Sequence, residues 1–211
     1  KFQKACKAEE KPEDKDPKKL AEKLAKHNIK WEKEIKPIFG VEMYLSHDLS
    51  VKKIKRYHIL LIAKNNVGLK NLYKLCSEAH KHTAYNFPRT DFDMLKEYGE
   101  GLIVSTACIG GEFAQLVIDG EKEKAFEMAK KYQDVWGEDF YLEVMWTGIQ
   151  EQKDVIAAAM ECSGKYGIKI IATNDCHYVE KNKAEFQQIK KAISSGGPLK
   201  YPDSPSYYIK S

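Results

Sequence analysis

A parallel α/β architecture, either a barrel or an open sheet, is the fold class this sequence predicts, and three observations predict it. Five short apolar, β-prone segments alternate with segments of helical periodicity. Gly110-Gly111, Gly137 and Gly167 punctuate that alternation. Polar residues able to coordinate a metal sit at or near the ends of several of the strands.

The elements follow in order. Residues 35–45 (IKPIFGVEMYL) are apolar and β-prone, with Glu42 set inside them, and Tyr57–Ala63 (YHILLIA) is a second buried strand opened by His58. Across residues 66–82, Val67, Leu69, Leu72, Tyr73, Leu75, Cys76 and Ala79 recur at helical spacing. A short helix over 91–98 precedes a strand over 101–105. Helices over 112–118 and 121–136 lead to the strand Phe140–Met145. A helix over 150–166, a buried strand over 168–173 and a last helix over 183–193 complete the body. Residues 194–211, rich in Gly, Pro, Ser and Tyr, read as a connector leaving the domain.

The stretch 168–178, Ile-Lys-Ile-Ile-Ala-Thr-Asn-Asp-Cys-His-Tyr, is the most informative. Its first half is apolar and its second half is polar. Asp175 and His177 are two residues apart, so on a continuing strand they face one way, roughly 6–7 Å apart. An anionic oxygen and an imidazole there can share a metal ion, at the end of a parallel strand where α/β folds build their sites. Taken alone, the pair reads first as a helix cap at Asp175 and an ordinary loop histidine at His177. Glu42, His58 and Cys108 change that balance, because they stand at or near the ends of three other strands. A glutamate inside an apolar strand is costly to bury unless paired or coordinated. No local spacing motif such as His-Glu-x-x-His joins the five.

Charge and composition exclude several classes. Of 211 residues, 43% are hydrophobic and 31% charged, with a net charge of +4. Residues 1–36 hold twelve lysines against eight acids, and the remainder holds 23 of each sign. The excess is therefore confined to the N-terminal segment, and the charge-balanced body gives no independent evidence of a DNA-binding face. Asp16-Pro17 with Leu20, Leu24 and Ala25 predicts a short solvated helix to about Asn28. The longest aliphatic run, residues 59–63, is far too short to span a bilayer, and no signal peptide is recognisable. Five widely spaced cysteines without a Cys-x-x-Cys pair suit free thiols in a reducing cytosol, so a cytoplasmic location is expected. Gly110-Gly111 forms no Walker or dinucleotide fingerprint. Trp31, Trp136 and Trp146 read as packing residues.

Longer stretches carry a resemblance. Phe2 to Lys7 (FQKACK), Ile35 to Tyr44 (IKPIFGVEMY), Tyr57 to Leu75 (YHILLIAKNNVGLKNLYKL), Pro88 to Glu112 (PRTDFDMLKEYGEGLIVSTACIGGE), Phe140 to Glu143 (FYLE), Ile171 to Tyr178 (IATNDCHY) and Tyr207 to Ser211 (YYIKS) are the matching segments. Together they resemble the PHP (polymerase and histidinol phosphatase) domain of the bacterial replicative C-family DNA polymerases, the DNA polymerase III alpha subunits. The similarity spans nearly the whole chain apart from a lysine-rich stretch of about residues 8–34, which looks like an insertion. It implies an incomplete, distorted (β/α)7 barrel of the PHP type. On that basis residues 1–34 are an N-terminal helix plus the insertion, 35–193 the barrel body, and 194–211 a connector toward a polymerase palm.

The same resemblance implies a metal cluster. Carried over by position, Glu42, His58, Cys108, Asp175 and His177 match ligand positions of the family. The cofactors implied are divalent ions, zinc or manganese and after them magnesium, with Cys108 favouring zinc. Such cations acidify a water for attack on a phosphoester. Arg89, in Pro-Arg-Thr-Asp, is a candidate phosphate clamp, or else a loop salt bridge to Asp91 or Asp93. The family's opening His-x-His and Thr-Asp-His strands do not occur here. His80-Lys81-His82 lies at a helix end, where i and i+2 do not share a face.

The expected function is therefore that of a PHP-domain fragment of a replicative DNA polymerase, mainly supporting the polymerase core. The alternatives are a metal-dependent 3′–5′ proofreading exonuclease and a free-standing PHP phosphoesterase. Expected partners are the remaining palm, thumb and fingers, DNA in the full protein, and other replisome subunits, with no membrane.

Overall fold

The structure is a computed structural model, and it describes residues 37–84, 86–197 and 206–210. Strand β1 (Gly40–Leu45) runs antiparallel to β2 (Tyr57–Ala63), with Glu42 opposite Leu60 and Tyr44 opposite His58. Residues 46–56 join them without a helix, and a connection lacking a crossover element can return only antiparallel. Helix α1 (Asn66–Lys81) follows, with the Asn65 side chain accepting from the Gly68 amide at 3.0 Å and Leu72, Leu75 and Ala79 buried. A two-residue strand β3 (Arg89–Thr90) pairs parallel to β1, and Asp91 caps helix α2 (Phe92–Glu97).

Strand β4 (Leu102–Ser105) lies antiparallel to β2, with Leu60 opposite Ser105. Helices α3 (Glu112–Ile118) and α4 (Lys122–Trp136) then lead to β5 (Phe140–Met145), parallel to β4. Helix α5 (Gln152–Tyr166) ends at Gly167, whose φ of 69° is the left-handed conformation that closes the helix. Strand β6 (Lys169–Thr173) pairs parallel to β5, and helix α6 (Ala184–Ser195) completes the elements.

The strand order is β3-β1-β2-β4-β5-β6. The expected set of five parallel strands is corrected by β2, which runs against both of its neighbours. Among the described residues the sheet is open, with β3 and β6 at its edges, and it does not close into a barrel. The fold is mixed α/β. One sheet face carries Leu45, Ile59, Leu61, Val104, Phe140 and Leu142 and packs beneath Leu75, Phe113, Ala129 and Ala159 of the helices. Each such fully buried aliphatic or aromatic side chain contributes roughly 1.5–3 kcal/mol. Strand alternation places Glu42, His58, Ser105, Glu143 and Thr173 on the other face.

Strand β6, expected to be buried, is the exception to good burial. Ile170 is 37% and Ile171 40% exposed, because β6 is an edge strand. Residues 206–210 bond to the loop that follows β6. The Tyr207 carbonyl accepts from the His177 amide at 2.8 Å and from the Tyr178 amide at 3.3 Å, and Ile209 donates to Val179. The N-terminal helix, the lysine-rich insertion and Trp31 lie outside the described residues.

Candidate metal centre

The C-terminal ends of β1, β4, β5 and β6 and the start of β2 lie at one end of the sheet, as the register requires. Glu42 and His58 sit diagonally across the β1–β2 pair, on the same face. Side chains in that relation are within mutual reach, and His58 Nδ1 lies 3.1 Å from Glu42 Oε1. Cys108 arrives from the turn after β4, with its Sγ 3.3 Å from the same Nδ1. Donor atoms of Glu42, His58 and Cys108 all lie within 4.8 Å of one another, and no other such cluster occurs among the described residues.

Local backbone explains the convergence. The His58 amide donates to the Gly110 carbonyl at 2.9 Å, which ties the β2 start to the turn carrying Cys108. A Cβ on Gly110 would stand 3.0 Å from His58 Nδ1, so a side chain there would press on the ring and shift it. A Cβ on Gly111 would collide with the Thr106 carbonyl at 1.9 Å. The Gly110-Gly111 pair thus serves close approach. Ala107, just before Cys108, takes φ 59°, a left-handed conformation that costs a non-glycine residue energy.

The electrostatics are those of a shared proton. His58 is pushed up to about 10, first by its hydrogen bond to Cys108 and then by that to Glu42, against partial burial. The same His58 bond holds Glu42 below the usual carboxylate range; burial opposes this, and the charges of His58 and His177 add to it. A carboxylate oxygen, an imidazole nitrogen and a sulfur converging at this spacing match the donor chemistry of a zinc-type ion. The residues fit such a group.

Asp175 and His177 stand at the same end of the sheet, following β6, without joining the three-donor cluster. His177 Nδ1 is 2.9 Å from the Asp175 carbonyl and 4.0 Å from Asp175 Oδ1. Its ring packs on Tyr207 with centroids 4.7 Å apart. Asp175 has φ 45°, the second left-handed non-glycine residue next to the site. His177 is near enough for its charge to act on Glu42.

Arg89 is not placed as a phosphate clamp. Only 2% exposed, it donates to the carbonyls of His82, Val51 and Leu49 at 3.1, 2.6 and 2.8 Å. Its fork is committed to holding the β1–β2 connection against the end of α1. The salt bridge to Asp91 or Asp93 is replaced by these carbonyl bonds.

Two polar groups were not anticipated from the sequence. Glu143, 7% exposed on β5, accepts from the hydroxyls of Ser105 and Thr173. Glu112, 8% exposed at the start of α3, lies with Oε1 3.0 Å from His47 Nε2, and burial pushes its carboxyl up against the opposing charges of His47 and Lys131. The signal for Glu143 was available: an acid in the apolar run Phe-Tyr-Leu-Glu-Val-Met carries the cost of burial expected of Glu42, and it is Glu143 that the structure buries, while Glu42 is exposed. Glu112 opens a helix, where an acid is ordinary.

Comparison with known proteins agrees with the sequence resemblance. The profile of the PHP domain matches residues 1–147. The chain belongs to the PHP domain family. It is 39% identical over 196 residues to the DNA polymerase III subunit alpha of Helicobacter pylori (strain ATCC 700392 / 26695), covering 84% of this chain and 16% of that protein. The Aquifex aeolicus protein of the same name is 40% identical over 156 residues, covering 69% of this chain and 13% of the relative. That of Thermus aquaticus is 31% identical over 188 residues, covering 83% and 15%. The chain thus spans about a sixth of the length of these relatives. As a PHP domain it matches the DNA polymerase III alpha subunits of several bacteria, in keeping with a fragment of a replicative polymerase. No helix among the described residues is long and apolar enough to cross a membrane.

Proposed function

We propose that this PHP domain binds a divalent metal ion and supports the core of a replicative DNA polymerase, in a protein whose nucleotidyl transfer is performed elsewhere. The observation that carries the metal half of the reading is the convergence of Glu42, His58 and Cys108 within 4.8 Å. These three would hold the ion, and Asp175 and His177, at the same end of the sheet, would complete or extend its surroundings. Zinc suits the sulfur and nitrogen donors better than magnesium does. The polymerase half rests on the similarity to the alpha subunits, and the partners are then the palm, thumb and fingers, DNA, and other replisome proteins. A body over 35–193 in a cytoplasmic protein accords with that reading.

When bound, the ion would supply Lewis acidity toward a phosphoester oxygen or a water. The protein's own contribution is positional. Glu42 and Cys108 both address His58 Nδ1 and fix its ring. Three protein donors leave an open position, as catalytic zinc sites do, and this favours metal-dependent 3′–5′ exonuclease chemistry as the second reading.

The test is to quantify metal in the purified chain and assay hydrolysis of single-stranded DNA 3′ ends with zinc or manganese. About one zinc per chain, lost in Cys108→Ser and His58→Ala, is the expected result. Little or no hydrolysis should accompany it. Robust 3′-end hydrolysis would transfer the assignment to the exonuclease reading, and zinc content unchanged in both variants would sink the metal site.

A further inference from the structure

Glu143 is a buried acid that no part of the metal reading uses, yet it is bonded to the strand ends from which both ligand-bearing turns leave. One carboxyl oxygen accepts from Ser105 Oγ on β4, and the other accepts from Thr173 Oγ1 on β6 at 2.6 Å. Its backbone amide donates to Thr106 Oγ1 at 2.9 Å. Ser105 Oγ in turn accepts from the Ala107 amide at 3.4 Å, next to Cys108. Glu143 and Cys108 line one small cleft, together with Thr106 and Ala107.

The positions of these bonds in the chain give them their meaning. Ser105 and Thr106 immediately precede the left-handed Ala107 and then Cys108, and Thr173 precedes Asn174 and the left-handed Asp175. Both candidate ligand turns therefore depart from the sheet through a strained residue. A strained turn persists only where its surroundings over-determine it. Glu143 supplies a fixed point between the two, because β5 lies between β4 and β6 and is paired to both. A buried carboxyl also needs its partners, so the hydroxyls are held to it as firmly as it is held to them.

We propose that Glu143 is a positioning residue for the metal centre, clamping the Cys108 turn and the Asp175–His177 turn in register through Ser105, Thr106 and Thr173. The inference rests on the metal-site reading above. Groups that orient ligands in this way typically govern metal affinity by 10–100-fold.

The experiment uses the full chain and cobalt(II) as the probe, following the sulfur-to-cobalt absorption band and the cobalt dissociation constant, with thermal unfolding of the metal-free protein alongside. Glu143→Gln keeps the volume but places a donor where an acceptor is needed. Thr173→Val removes a single hydroxyl. Both variants should weaken cobalt binding about 10-fold or more and shift the band. Leu75→Ala, in α1 and away from the site, should lower the unfolding temperature and leave cobalt affinity unchanged. Wild-type affinity and spectrum in both Glu143→Gln and Thr173→Val would overturn the proposal, as would an equal loss in Leu75→Ala. If the unaltered chain shows no band, or Cys108→Ser retains it, the metal reading itself fails and the clamp falls with it.

Discussion

At His58 a single ring nitrogen faces a sulfur and a carboxylate, and the consequences can be measured without any metal. The pKa of His58 is raised from 6.5 to about 10, by Cys108 first and Glu42 second. A histidine held above its unfolded value stabilises the fold fully below that value, and the stabilisation is lost as pH rises through the folded one. The metal-free chain should therefore lose part of its thermal stability between about pH 6.5 and 10, a modest part because the His58 side chain is 31% exposed. Glu42→Gln should flatten that portion of the profile relative to wild type. Identical profiles from pH 6 to 10 would refute the shared-proton geometry. A metal entering the cluster must displace the same proton, so binding should weaken as pH falls. Arg89 teaches the opposite lesson at this scale: a lone arginine near a site proves to be a backbone organiser, satisfied by three carbonyls.

Between elements, α1 comes close to the turn before β4. A Cβ on Gly68 would stand 1.9 Å from the Gly101 carbonyl oxygen, and Gly101 itself has φ 74°. Alanine is the better helix former by about 1 kcal/mol, but that gain is smaller than the overlap it creates. Gly68→Ala should destabilise the chain by on the order of 1–3 kcal/mol in urea unfolding. An unchanged or higher midpoint would show that α1 can slide away from β4. The β1–β2 hairpin matters equally. Because β2 is antiparallel to β1 and β4, its beginning, rather than its end, lies beside their C-terminal ends. That reversal is what brings His58 to Glu42 and Cys108.

For the molecule as a whole, the closing residues belong to the architecture of the site. Tyr207 accepts from the amides of His177 and Tyr178, Tyr208 accepts from Asn174, and Lys210 donates to the Trp146 carbonyl. Deleting residues 198–211 should raise amide exchange at His177 and Tyr178 by about an order of magnitude or more, with β4 and β5 still protected. Equal protection at His177 and Tyr178 with and without the segment would show that the loop after β6 is held by β6 alone.

Much of this was written in local sequence. Apolar runs, helical spacing and glycine stops placed the strands and helices, because burial and backbone propensity act over a few residues. Position at or near strand ends singled out Glu42, His58, Cys108, Asp175 and His177, and the family resemblance matched the same five to ligand positions. Tertiary structure decided the rest. Pairing direction depends on how a connection returns, so the antiparallel β2 and the open sheet could not be read from periodicity. The union of Glu42, His58 and Cys108, and the separate Asp175–His177 pair, depend on register across β1, β2 and β4 and on two strained turns. Glu143, Ser105 and Thr173 are far apart in sequence and become one network only when β4, β5 and β6 lie side by side, since a hydrogen bond is specified by distance in space and not along the chain.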